Sequence, residues 1–190
     1  FDADRAGTVL GEGAAFLVLE RLSGARARGA TVHGILKGWA LGSDASSARA
    51  AACPFGSGLS AASMGALELA GVPIEKLGWI CAHGTGTRIN DPSEANAFRQ
   101  IGASDAGTPV SSIKPVTGHC LGASPALESI VCLSALKHQK APPTPNLKTS
   151  DSVCDGLNFI SSAVAIDEAH VLNANQGFFG VTSALCFSRP

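Results

Sequence analysis

Charged side chains are scarce in this chain. Asp, Glu, Lys and Arg make up 15% of its 190 residues, whereas about 25% is typical of a globular domain. The deficit predicts that another polypeptide covers much of the surface. The formal net charge is -1, so no positive excess favours binding to nucleic acid or to an anionic membrane surface. Tyrosine is absent, and there are only eight phenylalanines and two tryptophans, so few side chains could stack on bases.

Long apolar runs and closely paired cysteines are missing as well. No apolar run reaches the roughly 20 residues that a helix needs to cross a bilayer, so we expect no membrane span. The six cysteines show no CxxC spacing, and four of them lie among apolar or small residues: Cys81, Cys120, Cys132 and Cys186. Free, buried thiols in a reducing compartment are the expected state. The sequence therefore predicts a cytoplasmic protein.

Apolar runs alternate with stretches of helical spacing, which predicts one α/β domain over residues 1–190. Strands are expected at residues 13–20, 31–41, 77–82 and 109–113, and near 157–160, 163–166, 171–175 and 181–187. Helices are expected at 21–29, 59–70, 91–101 and 120–137, and a loop at 43–58. The helix at 120–137 is apolar almost all round, so we expect it to be buried on every side.

Two histidines follow predicted buried strands inside glycine- and threonine-rich turns. The first turn reads HGTGT at residues 83–87, and the second reads KPVTGH at residues 114–119. Side chains at the carboxyl ends of buried strands converge at one edge of a sheet, where ligands usually bind. Two imidazoles and a lysine at such an edge can stabilise negative charge that develops on a bound carbonyl. The chain offers no comparably placed nucleophile.

Four segments, in this order, resemble one enzyme family. They read FDADRAGTVLGEGA at residues 1–14, CAHGTGTRIND at 81–91 with Glu94 after it, SSIKPVTGHCLGA at 111–123 and PPTPNL at 142–147. These segments are similar to the C-terminal half of the β-ketoacyl-acyl-carrier-protein synthases, the type II ketosynthases of the thiolase superfamily. The match runs almost from end to end of the chain.

The resemblance implies a fold and a set of partners. The fold would be the C-terminal half of a thiolase-like αβαβα body, with a mixed sheet covered by helices. The N-terminal half of such a body is absent from this chain, so we expect that half, or a partner chain, in a homo- or heterodimer. An acyl carrier protein is the other implied partner. No cofactor or metal of the chain's own is implied, since the phosphopantetheine arm of the carrier protein carries the substrate.

The resemblance also implies an acyltransferase that extends fatty-acid or polyketide chains by decarboxylative Claisen condensation. A cysteine thiolate takes an acyl group, malonyl-carrier protein loses CO₂, and the resulting enolate attacks the acyl thioester. The family's catalytic residues correspond to His83 and His119, which would bind the malonyl carbonyl, to Lys114, which would orient the site, and to its paired acid Glu128. The substrate-binding residues correspond to Thr85 and Thr87, beside the phosphopantetheine arm, and to Phe178 and Phe179. The backbone N–H of Phe178 resembles an oxyanion donor, and Asp91 and Glu94 would hold the first histidine loop.

This chain departs from the family pattern in two places. None of its six cysteines has the setting of the nucleophile, so we expect activity only with the half that carries that cysteine. The glycine-rich gate, roughly NSFGFGGxN in the family, reads ANQGFFGVT at residues 174–182. Phe179 thus replaces a glycine, which gives up easy access to positive φ, and Gln176 replaces an aromatic residue. We expect Phe179 to narrow the acyl channel or stiffen the loop, unless it only packs against the partner half.

Three alternatives stay open from the sequence. The chain could belong to a non-catalytic partner subunit like the chain-length factors, although such subunits often lose the catalytic histidines that are kept here. It could belong to a malonyl decarboxylase homologue that forms the enolate without condensing it. The pairs Cys81–His83 and His119–Cys120 could instead form a zinc site, provided that both cysteines turn towards the histidines.

Overall fold

A six-stranded mixed sheet lies at the centre of the molecule. The structure, a computed structural model, describes residues 1–44 and 52–190. Its strands are β1 (Ile35–Ser43), β2 (Leu77–Cys81), β3 (Pro109–Ser111), β4 (Lys140–Ala141), β5 (Asn158–Phe159), β6 (Val164–Ala165), β7 (His170–Gln176) and β8 (Val181–Ser188). The order in the large sheet is β1-β8-β7-β2-β3-β5, and β4 pairs with β6 separately. β1, β8 and β7 run antiparallel, whereas β7, β2, β3 and β5 are parallel neighbours.

Helices cover both faces of this sheet. They are α1 (Leu22–Ala27), α2 (Ser57–Ala70), α3 (Asn90–Gln100), α4 (Lys114–Thr117) and α5 (Ser124–His138). In the central strand β2, Ile80 belongs to the apolar cluster on the side of α2 and α3, while Trp79 and Cys81 belong to the cluster on the side of α5. Because both faces of β2 are buried, its sequence is a continuous apolar run rather than an alternating one.

The parallel pairing places the two histidine loops at the same edge of the sheet. β2 pairs in parallel with both β3 and β7, so the carboxyl ends of all three strands lie together. The loop of His83 follows β2, the segment of Lys114 and His119 follows β3, and the gate segment follows β7. The convergence expected from the sequence is therefore present.

The prediction of a strand at residues 13–20 is wrong. No strand forms there, and Phe16, Val18 and Leu19 are 91%, 91% and 73% exposed. A strand needs the backbone of a neighbouring strand to satisfy its N–H and C=O groups. Among the described residues, none pairs its backbone with this segment as a strand. The apolar sequence of residues 13–20 indicates a buried segment, but no other part of the described chain covers it.

Two other expectations need correction. The second strand was expected at 31–41, but β1 begins at Ile35 and continues to Ser43. The helix expected at 120–137 begins at Ser124 and is not buried on every side, since Ile130 is 41% exposed. Its buried side packs mainly against β7, with further contacts to β4 and β8, and an apolar sequence does not show which side lacks a neighbour.

The remaining elements lie close to their expected positions. Seven of the sixteen residues of the loop expected at 43–58 cannot be compared, because residues 45–51 lie outside the described residues. Within the described part of the chain, no helix is both long and apolar enough to cross a bilayer.

Candidate active site

A buried carboxylate holds the loop of the first histidine. The backbone N–H of His83 donates to Glu94 Oε1 over 2.7 Å, and that of Gly84 donates to Glu94 Oε2 over 2.6 Å. Asn90 Nδ2 donates to the same Oε2 over 2.7 Å. Glu94 is fully buried, and this burial raises its pKa to about 7, with the nearby charge of Asp91 acting in the same direction. Glu94 thus ties the histidine loop to α3.

The threonines after this histidine belong to the same folded turn. Thr85 Oγ1 and Thr87 Oγ1 lie 3.1 Å apart, and Thr87 Oγ1 accepts a hydrogen bond from the N–H of Asn90 over 3.1 Å. Asp91 Oδ1 accepts from the N–H of Gly86 over 3.1 Å. The expectation that Asp91 and Glu94 would hold this loop agrees with these contacts.

A buried ion pair lies behind the first imidazole. Lys114 Nζ lies 2.5 Å from Glu128 Oε1 and 3.2 Å from His83 Nδ1. The side chains of Lys114 and Glu128 are only 5% and 1% exposed. Burial raises the pKa of Glu128, whereas the charge of Lys114 opposes that rise. A charge buried at this depth needs its partner, so the pair forms one unit that touches His83.

Contacts from the beginning of the chain fix the backbone of the second histidine. The N–H of His119 donates to the carbonyl of Val9 over 2.7 Å, and the N–H of Gly11 donates to the carbonyl of His119 over 3.1 Å. The approach is close because Gly11 and Gly118 face each other. A Cβ on Gly118 would lie 2.7 Å from Gly11 Cα, and Gly118 has a φ of +68°. Both glycines are therefore needed where these segments meet.

The two imidazole rings meet edge to face, and their lowered pKa values leave both rings uncharged near neutral pH. Their centroids are 5.2 Å apart and their planes are nearly perpendicular at 87°. Burial holds the pKa of His83 well below its usual range, and the charge of Lys114 lowers it further. Burial and the Lys114 charge lower the pKa of His119 in the same way. Each neutral ring carries one N–H and one lone pair.

Both rings line a cavity of about 520 Å³. Of the residues expected in the site, His83, His119, Thr85, Thr87 and Phe178 line this cavity. Lys114 and Glu128 lie behind the imidazoles rather than on the cavity wall, and Phe179 does not line it. A second cavity of about 680 Å³ is lined by residues of 1–10, 84–86, 112–118 and 144–148, including Lys114 and Thr85, and neither histidine lines it.

The gate segment holds an unusual backbone conformation. Phe179 has φ 61° and ψ 24°, the left-handed region that a glycine adopts without strain. Phe178 and Phe179 are 66% and 69% exposed. Phe179 thus occupies a backbone conformation suited to the glycine of the family pattern. Within this chain Phe179 is not a packed core residue.

The cysteines beside the histidines do not turn towards them together. Cys81 is fully buried in the apolar cluster on the α5 side, together with Trp79 and Cys132. Cys120 Sγ instead contacts the carbonyl of Thr117 at 3.6 Å. Over residues 1–44 and 52–190, no group of three or more His, Cys, Asp or Glu side chains is arranged to hold a metal ion. The zinc alternative has no support in this geometry.

Comparison with known proteins agrees with this site. The family described as "Beta-ketoacyl synthase, C-terminal domain" matches residues 33–148. This chain belongs to the β-ketoacyl synthase family. A putative polyketide β-ketoacyl synthase 1 of Streptomyces cyaneus is 41% identical over the whole chain, which covers 45% of that protein. The 3-oxoacyl-[acyl-carrier-protein] synthase 2 of Synechocystis is 39% identical, with the same coverage of both.

Solved structures of ketosynthases share the fold. The ishigamide ketosynthase/chain length factor has a TM-score of 0.91 and 37% identity, and this chain covers 46% of that chain. A type II polyketide acyl-carrier protein in complex with its ketosynthase has a TM-score of 0.83 and 29% identity over 90% of this chain, covering 42% of that chain. The thiolase-like ketosynthase fold is confirmed, and the chain spans about half the length of the relatives that it matches.

Sequence reasoning missed three polar residues around the two histidines: Asn173, Asn175 and Ser124. Asn175 Oδ1 lies 3.1 Å from His83 Nδ1, and Asn175 Nδ2 donates to Asn173 Oδ1 over 2.9 Å. Ser124 Oγ lies 3.2 Å from His119 Nδ1. Asn173 and Asn175 lie at alternate positions of a buried strand and therefore on one face, and that pattern was a signal, because buried amides need partners. No pattern in the sequence distinguished Ser124.

Proposed function

We propose that this chain supplies the carbonyl-binding half of a ketosynthase active site. The reaction would be the decarboxylative Claisen condensation of malonyl-carrier protein with an acyl-cysteine enzyme, in fatty-acid or polyketide chain extension. The observation that carries this proposal is that His83 and His119 line one cavity with their ring centroids 5.2 Å apart. Two converging imidazoles fit a single carbonyl oxygen better than they fit an extended polar substrate.

The electrostatics of the site fit an oxygen that gains negative charge. Burial and the Lys114 charge keep both imidazoles neutral, so their N–H groups can donate without adding a full positive charge beside the substrate. Lys114 is paired with Glu128 behind His83 and orients that ring. Donors arranged in advance in a water-poor cavity stabilise an enolate more than its neutral precursor, which lowers the barrier to loss of CO₂.

The substrate would enter on the phosphopantetheine arm of an acyl carrier protein, so no cofactor of the chain's own is needed. Thr85 and Thr87 line the cavity and offer hydroxyl groups to the amides of such an arm. Phe178 lines the same cavity from the gate segment, where its backbone N–H is our candidate oxyanion donor. Phe179 would act on the acyl channel through the stiffness of the gate rather than by lining this cavity.

The nucleophilic cysteine would come from a partner, either the N-terminal half or another chain of a homo- or heterodimer. The exposed apolar side chains of Phe16, Val18 and Leu19 support such a partner, since proteins rarely leave contiguous apolar surface open to water. The ketosynthase neighbours are described in complexes with a chain length factor or an acyl-carrier protein, which supports both types of partner. All six cysteines are buried and unpaired, in keeping with a cytoplasmic location.

The test measures CO₂ release from malonyl-carrier protein by this chain assembled with the half that carries the cysteine. His83→Ala and His119→Ala should each slow decarboxylation by about 10²–10³, the usual loss for one arranged donor. Acylation of the partner's cysteine should suffer less, because no enolate forms in that step. His138→Ala is the matched control, because His138 is exposed on α5. Decarboxylation near the wild-type rate in both variants would show that the assigned roles are wrong.

A non-catalytic partner subunit, like a chain length factor, is the second candidate. The altered gate favours it, because Phe179 occupies a left-handed backbone position suited to glycine. Condensation measured with the same assembled protein and its histidine variants distinguishes the enzyme from the non-catalytic subunit. Condensation that is lost in the two histidine variants supports the enzyme, whereas condensation that is unaffected by them supports the scaffold. Release of CO₂ without condensation would instead indicate a malonyl decarboxylase.

A further inference from the structure

We propose that Ser124 is a positioning residue for the imidazole of His119. It holds the ring in the tautomer that has its hydrogen on Nε2, the ring nitrogen that Ser124 does not contact. Ser124 is the first residue of α5 and is only 3% exposed. Its Oγ lies 3.2 Å from His119 Nδ1. The tautomer assignment follows from this contact alone, while its catalytic consequence rests on the proposed function.

Counting hydrogens gives the direction of this hydrogen bond. A serine hydroxyl has one hydrogen to donate, and a neutral imidazole has one N–H and one acceptor nitrogen. Within residues 1–44 and 52–190, His119 Nδ1 is the sole hydrogen-bond partner of Ser124 Oγ. A buried hydroxyl that donates to nothing loses free energy. The Ser124 O–H therefore donates to Nδ1, and the ring hydrogen of His119 is on Nε2.

The contrast with His83 shows that this arrangement is specific to the second histidine. His83 Nδ1 has two polar neighbours, Asn175 Oδ1 at 3.1 Å and Lys114 Nζ at 3.2 Å. The asparagine oxygen can only accept and the lysine ammonium can only donate. His83 can therefore satisfy one of them in either tautomer, whereas the contact of His119 selects one.

The selected tautomer suits the binding of a carbonyl oxygen. With the hydrogen on Nε2, His119 presents a donor to the cavity that it lines. With the hydrogen on Nδ1, it would present a lone pair to the same oxygen and repel the developing negative charge. Contacts with residues 9 and 11 fix the backbone of His119, and Ser124 then fixes the ring. The two sets of contacts act on different parts of the same residue.

Because of its position in α5, Ser124 can be replaced by alanine without disturbing the helix. Ala123, not Ser124, occupies the N-cap of the helix, and no side chain caps it. Ser124→Ala should therefore not weaken α5, since alanine has a higher helix propensity than serine. Ser124→Thr keeps the hydroxyl and is the conservative variant. Ser134→Ala is the matched control, because Ser134 Oγ makes a comparable 3.3 Å contact with His138 Nδ1 on the exposed side of the same helix.

The experiment records ¹⁵N NMR spectra of histidine-labelled protein, with this chain assembled with the half that carries the cysteine. The His119 signals are assigned by their loss in His119→Gln. We expect a protonated Nε2 and an unprotonated Nδ1 in the wild type and in Ser124→Thr. In Ser124→Ala the two His119 signals should move towards each other as the tautomers mix, while Ser134→Ala leaves them unchanged.

The rate of decarboxylation gives a second, independent readout. Ser124→Ala should lower kcat for CO₂ release about threefold to tenfold at unchanged KM, the effect of one neutral hydrogen bond, and Ser124→Thr should retain the wild-type kcat. A wild-type His119 protonated on Nδ1, or His119 signals that are unchanged in Ser124→Ala, would overturn the proposal. If the wild type releases no CO₂ but the NMR shifts occur, the proposed function fails and the positioning role stands.

Discussion

Replacing Phe179 by glycine and by alanine tests the strained backbone of the gate. Phe179 has a φ of +61°, where a residue with a Cβ costs about 1–2 kcal/mol relative to the right-handed region. Glycine removes that cost, but its greater freedom in the unfolded chain costs about 0.4–1 kcal/mol relative to alanine. We therefore expect Phe179→Gly to be more stable than Phe179→Ala by about 1 kcal/mol.

The loss of the aromatic ring affects both variants equally. Phe179 is 69% exposed, so about a third of the roughly 1.5–3 kcal/mol from full burial of a phenylalanine is available to lose. Phe179→Gly should therefore unfold with nearly the wild-type free energy, and Phe179→Ala should be destabilised by about 1 kcal/mol. Packing of Phe179 on a partner would enlarge both losses without changing the difference between glycine and alanine.

The neighbouring phenylalanine provides the control. Phe178 is 66% exposed and does not have a positive φ, so glycine there should be less stable than alanine by about 0.4–1 kcal/mol. Denaturant unfolding of the assembled protein measures all four variants. The expected result is a reversal of sign between the two positions. Alanine at least as stable as glycine at position 179 would refute the left-handed assignment and the strain argument with it.

The same variants test the role of the gate in substrate choice. If the strain of Phe179 stiffens the gate, Phe179→Gly should shift acylation of the partner's cysteine towards longer or bulkier acyl groups. Acylation rates with short and long acyl-carrier substrates measure this preference. An unchanged preference in Phe179→Gly would leave the unusual gate without a role in selecting the acyl group.

Three further predictions follow from buried charge and exposed apolar surface. Burial raises the pKa of Glu94 from 4.5 to about 7, so the folded chain binds that proton more tightly than the unfolded chain. The stability it contributes is full below about pH 4.5 and is lost as the pH rises to about 7. Glu94→Gln should remove this slope from unfolding measured across the range, and a slope unchanged in the variant would contradict the assignment. Lys114→Met should destabilise the protein by about 3–5 kcal/mol, because it leaves Glu128 buried without its partner. Adding Glu128→Leu should recover most of that loss in a double-mutant cycle, and purely additive losses would argue against a coupled pair. Residues 1–190 expressed alone should fail to give a stable monomer, and a cooperative thermal transition of a soluble monomer would contradict this.

Local sequence was enough to predict the family and the principal catalytic candidates. His83, Lys114 and His119 could be predicted because each lies in the segment that directly follows a short buried strand, and parallel strands bring their carboxyl ends together. Glu94 could be associated with the His83 loop for a similar reason, since both lie in one continuous motif of the chain. The end of the helix Ser57–Ala70 was also predictable, because glycine ends it at position 71 and helical ends are local features; its start lies two residues before the predicted one.

Other features depended on which distant segments meet, and the tertiary structure alone decided them. Residues 13–20 are as apolar as a core strand, but burial requires a neighbour, and this chain does not supply one. Ser124 and Asn175 became part of the site because folding brings their side chains within 3.2 Å of the two imidazoles. The sequence raised the question of backbone strain at Phe179, but φ is set by the strands on either side of the gate. Residue types and their spacing determine which chemistry is possible, whereas burial, tautomer and strain depend on contacts between residues far apart in the chain.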